Sequence, residues 1–148
     1  MMCSKIQFEL APGYEILEGW VKALPERFML DGTSIFKDRN EVKVFLEQGF
    51  EFNVKAFKLP NLINRYVYVY LRGSKAARSF RNALRFLDNG ALTPTPVAWV
   101  ECLEDGKLRK SYYVSLNFKT DFDLRAVLNH QVVDSRNILA QWVHFTWS

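Results

Sequence analysis

Residues 34–57 read SIFKDRNEVKVFLEQGFEFNVKAF, and this stretch decides the fold class. Ser34-Ile35-Phe36 and Val42-Lys43-Val44-Phe45 are rich in β-branched and aromatic side chains and read as two short strands. Asp38-Arg39-Asn40 supplies the turn between them, because Asp and Asn hydrogen-bond their own backbone and tolerate turn geometry. Gln48-Gly49 makes a second turn into a longer strand, Phe50 to Phe57. The three predict an antiparallel meander. Alternation along its last strand puts Asn53, Lys55 and Phe57 together on one face.

On the N-terminal side, Lys5 to Leu10 alternates like a short strand and Pro12-Gly13 turns the chain. Ile16, Leu17, Trp20, Val21 and Leu24 then recur at spacings of three and four, the stripe of an amphipathic helix. Pro25 is expected to end that helix or to fall just beyond its end, since it lacks an N–H and clashes with the preceding turn. On the C-terminal side, Asn61 to Gly73 combines strand-forming Tyr66-Val67-Tyr68-Val69-Tyr70 with a helix N-cap and a helix C′ glycine, and is read as helix.

Ser74 caps a clearer helix, with Ala76, Ala77, Phe80, Ala83, Leu84 and Leu87 inward and Asn89-Gly90 closing it. Thr93-Pro94-Thr95-Pro96 is a stiff connector to a hairpin, Val97–Leu103 and Ser111–Phe118, about Asp105-Gly106. A short helix is expected from Asp121 or Asp123 to Leu128, and a last one after Asp134 or Ser135. The last carries Ile138, Leu139, Trp142, Val143 and Phe145. The order predicts an α+β fold with a five-stranded antiparallel sheet.

A length of 148 residues suits one domain, and 49% hydrophobic against 24% charged residues excludes a disordered chain. Cys3 and Cys102 lie far apart with no CxxC, so neither a disulfide scaffold nor a cysteine-rich metal site is expected. The first ten residues form no apolar signal core, and the longest apolar run, Tyr66 to Leu71, is too short to span a bilayer. The expected setting is the reducing cytoplasm, extending to the periphery of the inner membrane.

Charge is unevenly placed. Between Glu51 and Asp88, a 36-residue stretch holds no acid and eight bases: Lys55, Lys58, Arg65, Arg72, Lys75, Arg78, Arg81 and Arg85. A net charge of +4 therefore hides +8 in this stretch and −4 elsewhere. Lys75, Arg78, Arg81 and Arg85 share one side of the helix after Ser74 and form a candidate anion-binding surface. A solvated face accounts for such a pattern equally well.

Catalytic motifs are sparse. The two histidines, His130 and His144, form no triad or metal cluster, and no GxSxG, HExxH, GxGxxG or P-loop occurs. Lys55, on the third strand of the meander, stands out as a cation held on a defined strand face, where it can pair with phosphates.

Several strings resemble the bacterial Kdo/WaaP lipopolysaccharide kinase family. They are Phe36–Val42, Val54–Arg65, Ser74-Lys75-Ala76 with Arg78-Ser79-Phe80, Thr93–Glu101 and Ser111–Ser115. The resemblance covers residues 36 to 115 and implies a protein-kinase-like fold whose members use ATP and a divalent metal such as Mg²⁺ to phosphorylate inner-core sugars. It implies an N-terminal strand and helix over 1–30, a kinase-like N-lobe over 31–118, and a hinge with the first helices of an incomplete C-lobe over 119–148.

Carried over, Lys55 resembles the phosphate-holding lysine. Arg39 and Asn40 occupy the turn that covers the phosphates, although it lacks glycines. Val42 corresponds to the roof of the adenine pocket, and Leu116, Asn117 and Phe118 to the hinge. The helix after Ser74 corresponds to the one that supplies a glutamate to the lysine, yet it has no acid before Asp88. The catalytic and metal-binding loop would follow residue 148, so the chain alone is expected to be catalytically incomplete, to bind nucleotide weakly or not at all, and to contain no metal site.

Expected partners are a missing C-lobe or another protein, a lipopolysaccharide precursor or the inner membrane surface, and a second copy of the chain. Two further readings are a pseudokinase-like regulator and a basic module for anionic lipid or nucleic acid. The aromatics fall mainly on inward faces, which argues against stacking on nucleic acid.

Overall fold

The computed structural model of the chain describes residues 3–59, 73–119, 129 and 136. The helices expected over 61–73, 121–128 and 134–147 fall outside these residues apart from Gly73 and Arg136, and His130 and His144 also lie outside them. The chain divides into two compact units, Met1–Asn117 and Phe118–Ser148.

The first unit is α+β. Its strands are β1 (Lys5–Leu10), β2 (Thr33–Lys37), β3 (Glu41–Glu47), β4 (Phe50–Phe57), β5 (Pro96–Glu104) and β6 (Lys107–Leu116). Its helices are α1 (Glu18–Leu30), entered through a short 3₁₀ turn at Glu15–Leu17, and α2 (Lys75–Asp88). All strand pairings are antiparallel, in the order β1-β5-β6-β4-β3-β2.

The meander forms as its turn residues predict. Asp38 N–H donates to the Asn40 carbonyl at 3.0 Å in the β2–β3 turn. The β5–β6 turn is Asp105-Gly106 with both φ positive, +51° and +70°, and Gln48-Gly49 has the same form at +51° and +78°. Two consecutive positive φ values match the right-handed twist of the flanking strands, and glycine at the second position meets them without a Cβ clash.

The sheet has six strands rather than five. β1 adds at the edge beside β5, with Ile6 opposite Cys102 and Phe8 opposite Val100. Its half-buried Ile6, Phe8 and Leu10 complete the core beneath α1. Two strands about ninety residues apart pair because burial of those side chains outweighs a loop-closure cost that grows only slowly with length.

Alternation sends successive residues to opposite faces, and among the described residues α1 covers one face and α2 the other. Under α1, the buried residues Trp20, Val21, Leu24 and Phe28 pack on Phe45, Phe52, Val54, Val100, Tyr112 and Val114. Under α2, Ala76, Ala77 and Phe80 pack on Trp99, with Phe57 and Tyr113 beside them. The smaller α2 core follows from alanines, which let the helix approach closely but bury little area.

Helix α1 continues through Pro25 to Leu30, contrary to the stop expected there. A helical proline costs about 3 kcal/mol. Stopping would strand Phe28, which is 4% exposed and stacks 5.2 Å from the Tyr112 ring and 6.1 Å from the Phe45 ring. Burial of one phenylalanine contributes about 1.5–3 kcal/mol, and Pro25 is itself buried. Lys43 then donates to the Phe28 carbonyl at 2.6 Å and the Asp31 carbonyl at 3.2 Å, placing a cation at the negative end of the helix. Ile16, expected in the apolar stripe, is 76% exposed because it belongs to the 3₁₀ turn.

Cys3 and Cys102 are joined in a disulfide, with Cα atoms 5.3 Å apart, so the expectation that their spacing argues against a disulfide is overturned. The spacing argument failed because the β1–β5 register carries Cys3 to β5. Disulfides persist in oxidising compartments, so the cysteines do not support a reducing setting. Among the described residues, no helix is long and apolar enough to cross a membrane.

Candidate functional site

Lys55 lies near the middle of β4, half-buried, with Val42 of β3 directly opposite on one side and Tyr113 of β6 on the other. Directly paired residues of antiparallel strands share a face, so Val42 and Lys55 stand together on the α2 side of the sheet. The Lys55 Nζ sits over the Phe57 ring, 5.2 Å from its centroid. This i, i+2 contact is the arrangement that alternation predicts for Lys55 and Phe57.

The remaining residues expected around a nucleotide do not converge on Lys55 to the same extent. Asn40 is at the β2–β3 turn, where its Oδ1 accepts from Lys58 N–H at 3.1 Å. Arg39 is exposed on the same turn. Asn117 is at the other end of β4: its N–H donates to the Glu51 carbonyl at 2.9 Å and its Nδ2 to the Glu51 carboxylate at 3.0 Å. From Glu51 to Lys58 a strand spans about 23 Å, so the two asparagines bracket Lys55 from opposite ends.

Leu116 belongs to the other face. It alternates with Tyr112 and Val114 and packs on the α1 core. Phe118 is the first residue of the second unit. Of the side chains expected in one site, the fold therefore brings Val42 and Lys55 together, holds Arg39 and Asn40 at the near turn, and turns Leu116 away.

Helix α2 has the predicted bounds and caps, but Leu87, expected inward, is 39% exposed at its C-terminal end. Ser74 Oγ accepts from Ala77 N–H at 3.2 Å as the N-cap. The C-terminus closes with Gly90 N–H donating to the Leu87 carbonyl and Ala91 N–H to the Phe86 carbonyl, the two bonds of a Schellman turn. Lys75, Arg81 and Arg85 are exposed and Arg78 is half-buried, all on the side away from the buried Ala76, Ala77, Phe80 and Ala83. The Arg81 guanidinium lies over Trp99, 5.9 Å from the ring.

One group that the sequence reading passed over is Glu101. It is 5% exposed on β5 and accepts from Ser74 N–H at 3.3 Å, tying the start of α2 to the sheet. A lone acid within Val97-Ala98-Trp99-Val100-Glu101-Cys102 was the available signal, since a buried carboxylate requires a donor. Among the described residues, no group of three or more His, Cys, Asp or Glu side chains is placed to hold a metal.

A pocket of about 270 Å³ opens on the α1 face, between the β1–α1 connection and the β3–β4 turn. Tyr14, Leu17, Gln48, Phe50 and Phe52 line it together with Leu116. It is thus on the opposite side of the sheet from Lys55. Nothing local marks these residues, which meet only after the sheet has assembled.

Compared with known proteins, the chain matches no protein-family model, no curated protein and no solved structure.

Proposed function

We propose that the first unit is the nucleotide-holding lobe of a lipopolysaccharide core kinase, a class of enzyme that moves a phosphoryl group from ATP to Kdo or heptose. The observation that carries this reading is the cross-strand pair Val42–Lys55. It sets an apolar side chain of the second strand beside a cation of the third in a meander that is followed by a helix and a hairpin. In that reading Lys55 neutralises the phosphates, Val42 covers the base, and the exposed Arg39 adds charge at the turn.

The environment of Lys55 supports phosphate capture. Its contact with Phe57 is a cation–π interaction, worth about 0.5–1 kcal/mol at a partly exposed site. A charge-assisted hydrogen bond to phosphate is worth about 1.5–3 kcal/mol, so an arriving phosphate displaces the ring. The lysine needs no glutamate from α2 to hold it before nucleotide binds. The role proposed for this lobe is binding; metal-holding and acceptor-activating groups belong to another part of the enzyme.

Calorimetric titration of the chain with ATP and Mg²⁺ tests the reading. Weak but saturable binding is expected, weakened further, roughly 10–100-fold, by Lys55→Met and less by Lys55→Arg. Absence of saturable binding, or equal affinity for wild type and Lys55→Met, would overturn it.

A further inference from the structure

Independently of any nucleotide, we infer that α2 and the turn after it form a docking face for an anionic phospholipid bilayer. Lys75, Arg78, Arg81 and Arg85 recur at spacings of three and four, which at 100° per residue confines them to an arc of about 120°. That arc is opposite the one carrying Ala76, Ala77, Phe80 and Ala83; Lys75 and Arg85 are exposed on it, Arg78 is half-buried and Arg81 reaches over Trp99. No acid interrupts it from Lys75 to Leu87. An ordinary solvated face intersperses both signs.

The arrangement also works against the helix itself. Lys75 stands exposed in the first turn, which contains no acid, and there the positive end of the helix repels a cation. An anionic surface outside the molecule relieves that repulsion.

The choice of a bilayer over nucleic acid comes from the apolar end of the same face. Phe86 lies eleven residues, three turns, beyond Lys75 and so shares its azimuth. It is 56% exposed. The Schellman turn bonds Ala91 N–H to the Phe86 carbonyl at 2.8 Å and leaves the next residue, Leu92, 95% exposed. An exposed leucine finds no partner on a phosphate backbone, whereas the headgroup–acyl boundary accepts leucine and phenylalanine alike. The cations meet lipid phosphates while Phe86 and Leu92 enter the interface.

Co-sedimentation of the intact chain with vesicles tests this. Binding to mixed phosphatidylglycerol–phosphatidylcholine vesicles is expected, none to pure phosphatidylcholine, and salt should weaken it. Lys75→Gln with Arg85→Gln should lower the partition coefficient roughly 30-fold, about fivefold per cation. Arg81 is left intact because it stacks on Trp99. Phe86→Ser with Leu92→Ser should remove the binding that survives at high salt. All four positions are exposed, and matching thermal melts would show that the variants fold. Equal binding to neutral vesicles, insensitivity to the Lys75/Arg85 pair, or tighter binding to single-stranded RNA that ignores the Phe86/Leu92 pair would overturn the inference.

Discussion

Cys3 and Cys102, ninety-nine positions apart in sequence, are covalently joined beside the edge strand β1. The bond fixes the outer end of that strand where Lys5 meets Leu103. Because β1 pairs on one side only, the disulfide and the six-residue register with β5 are its main anchors within the sheet.

Reduction should therefore loosen β1 first and then the whole unit. Closing a loop of this length is worth about 4–5 kcal/mol on chain entropy alone, and about 2–5 kcal/mol is the usual loss. Denaturant unfolding with and without reductant measures it, and Cys3→Ser should reproduce the reduced form. Cys102 is 1% exposed, so Cys102→Ser should cost more by burying a hydroxyl. Equal midpoints for Cys3→Ser and the oxidised wild type would show that the bond contributes nothing.

Gly32, between α1 and β2, has φ +83°, and a Cβ there would lie 2.7 Å from the Phe45 ring. Gly32→Ala combines backbone strain with a clash against a core aromatic. A loss of about 1–3 kcal/mol is expected. The double variant Gly32→Ala/Phe45→Leu should lose less than the sum of the two singles, because the smaller side chain relieves the clash. Strict additivity would mean that the ring does not limit the site.

Glu101 and Ser74 form a buried link between β5 and the first turn of α2. Glu101→Ala should leave the Ser74 N–H without its acceptor and cost about 1–3 kcal/mol. Glu101→Gln keeps an oxygen at the position and should cost less. Urea unfolding provides the numbers, and hydrogen exchange locates them: amides at the start of α2 should lose the most protection in Glu101→Ala.

Tyr112 and Tyr113 should make the fold sensitive to alkali. Burial pushes the Tyr113 phenol up to about 12 and Tyr112 higher still, against an ordinary value of 10.0. Below pH 10 both are neutral whether folded or unfolded, and their contribution is complete. As pH rises above 10 the unfolded chain loses these protons while the folded chain keeps them, so stability falls by up to about 1.4 kcal/mol per pH unit per tyrosine. Tyr113→Phe should flatten the decline between pH 10 and 12. Ultraviolet titration should show Tyr112 and Tyr113 ionising late, and loss of one late phenol in Tyr113→Phe; no late-ionising phenol in the wild type would refute the burial argument.

Much of the fold was legible because its signals are local. Ser74 and Asn89-Gly90 bound α2 at the expected places, since a side-chain acceptor and a left-handed glycine act within one helical turn. Lys55 and Phe57 could be placed on one face from strand alternation, and the Lys55 Nζ lies over the Phe57 ring. Pro25 was misread because local propensity said stop, while the cost of exposing Phe28, which depends on Phe45 and Tyr112, said continue. Leu116, expected at the hinge from the resemblance, lies with Tyr112 and Val114 on the face away from Lys55.

The amino-acid sequence by itself determined the elements of the meander, the two hairpin turns, the amphipathic α2 and the basic, acid-free character of its outer side. These follow from side-chain period, turn residues and caps, each acting over a few residues. Tertiary structure alone decided that β1 closes the sheet beside β5, that Cys3 reaches Cys102, and that α1 and α2 cover opposite faces. It also decided that Glu101 secures the start of α2. Those outcomes depend on which apolar surfaces lose the most water when segments ninety residues apart are brought together, and no local pattern contains that comparison.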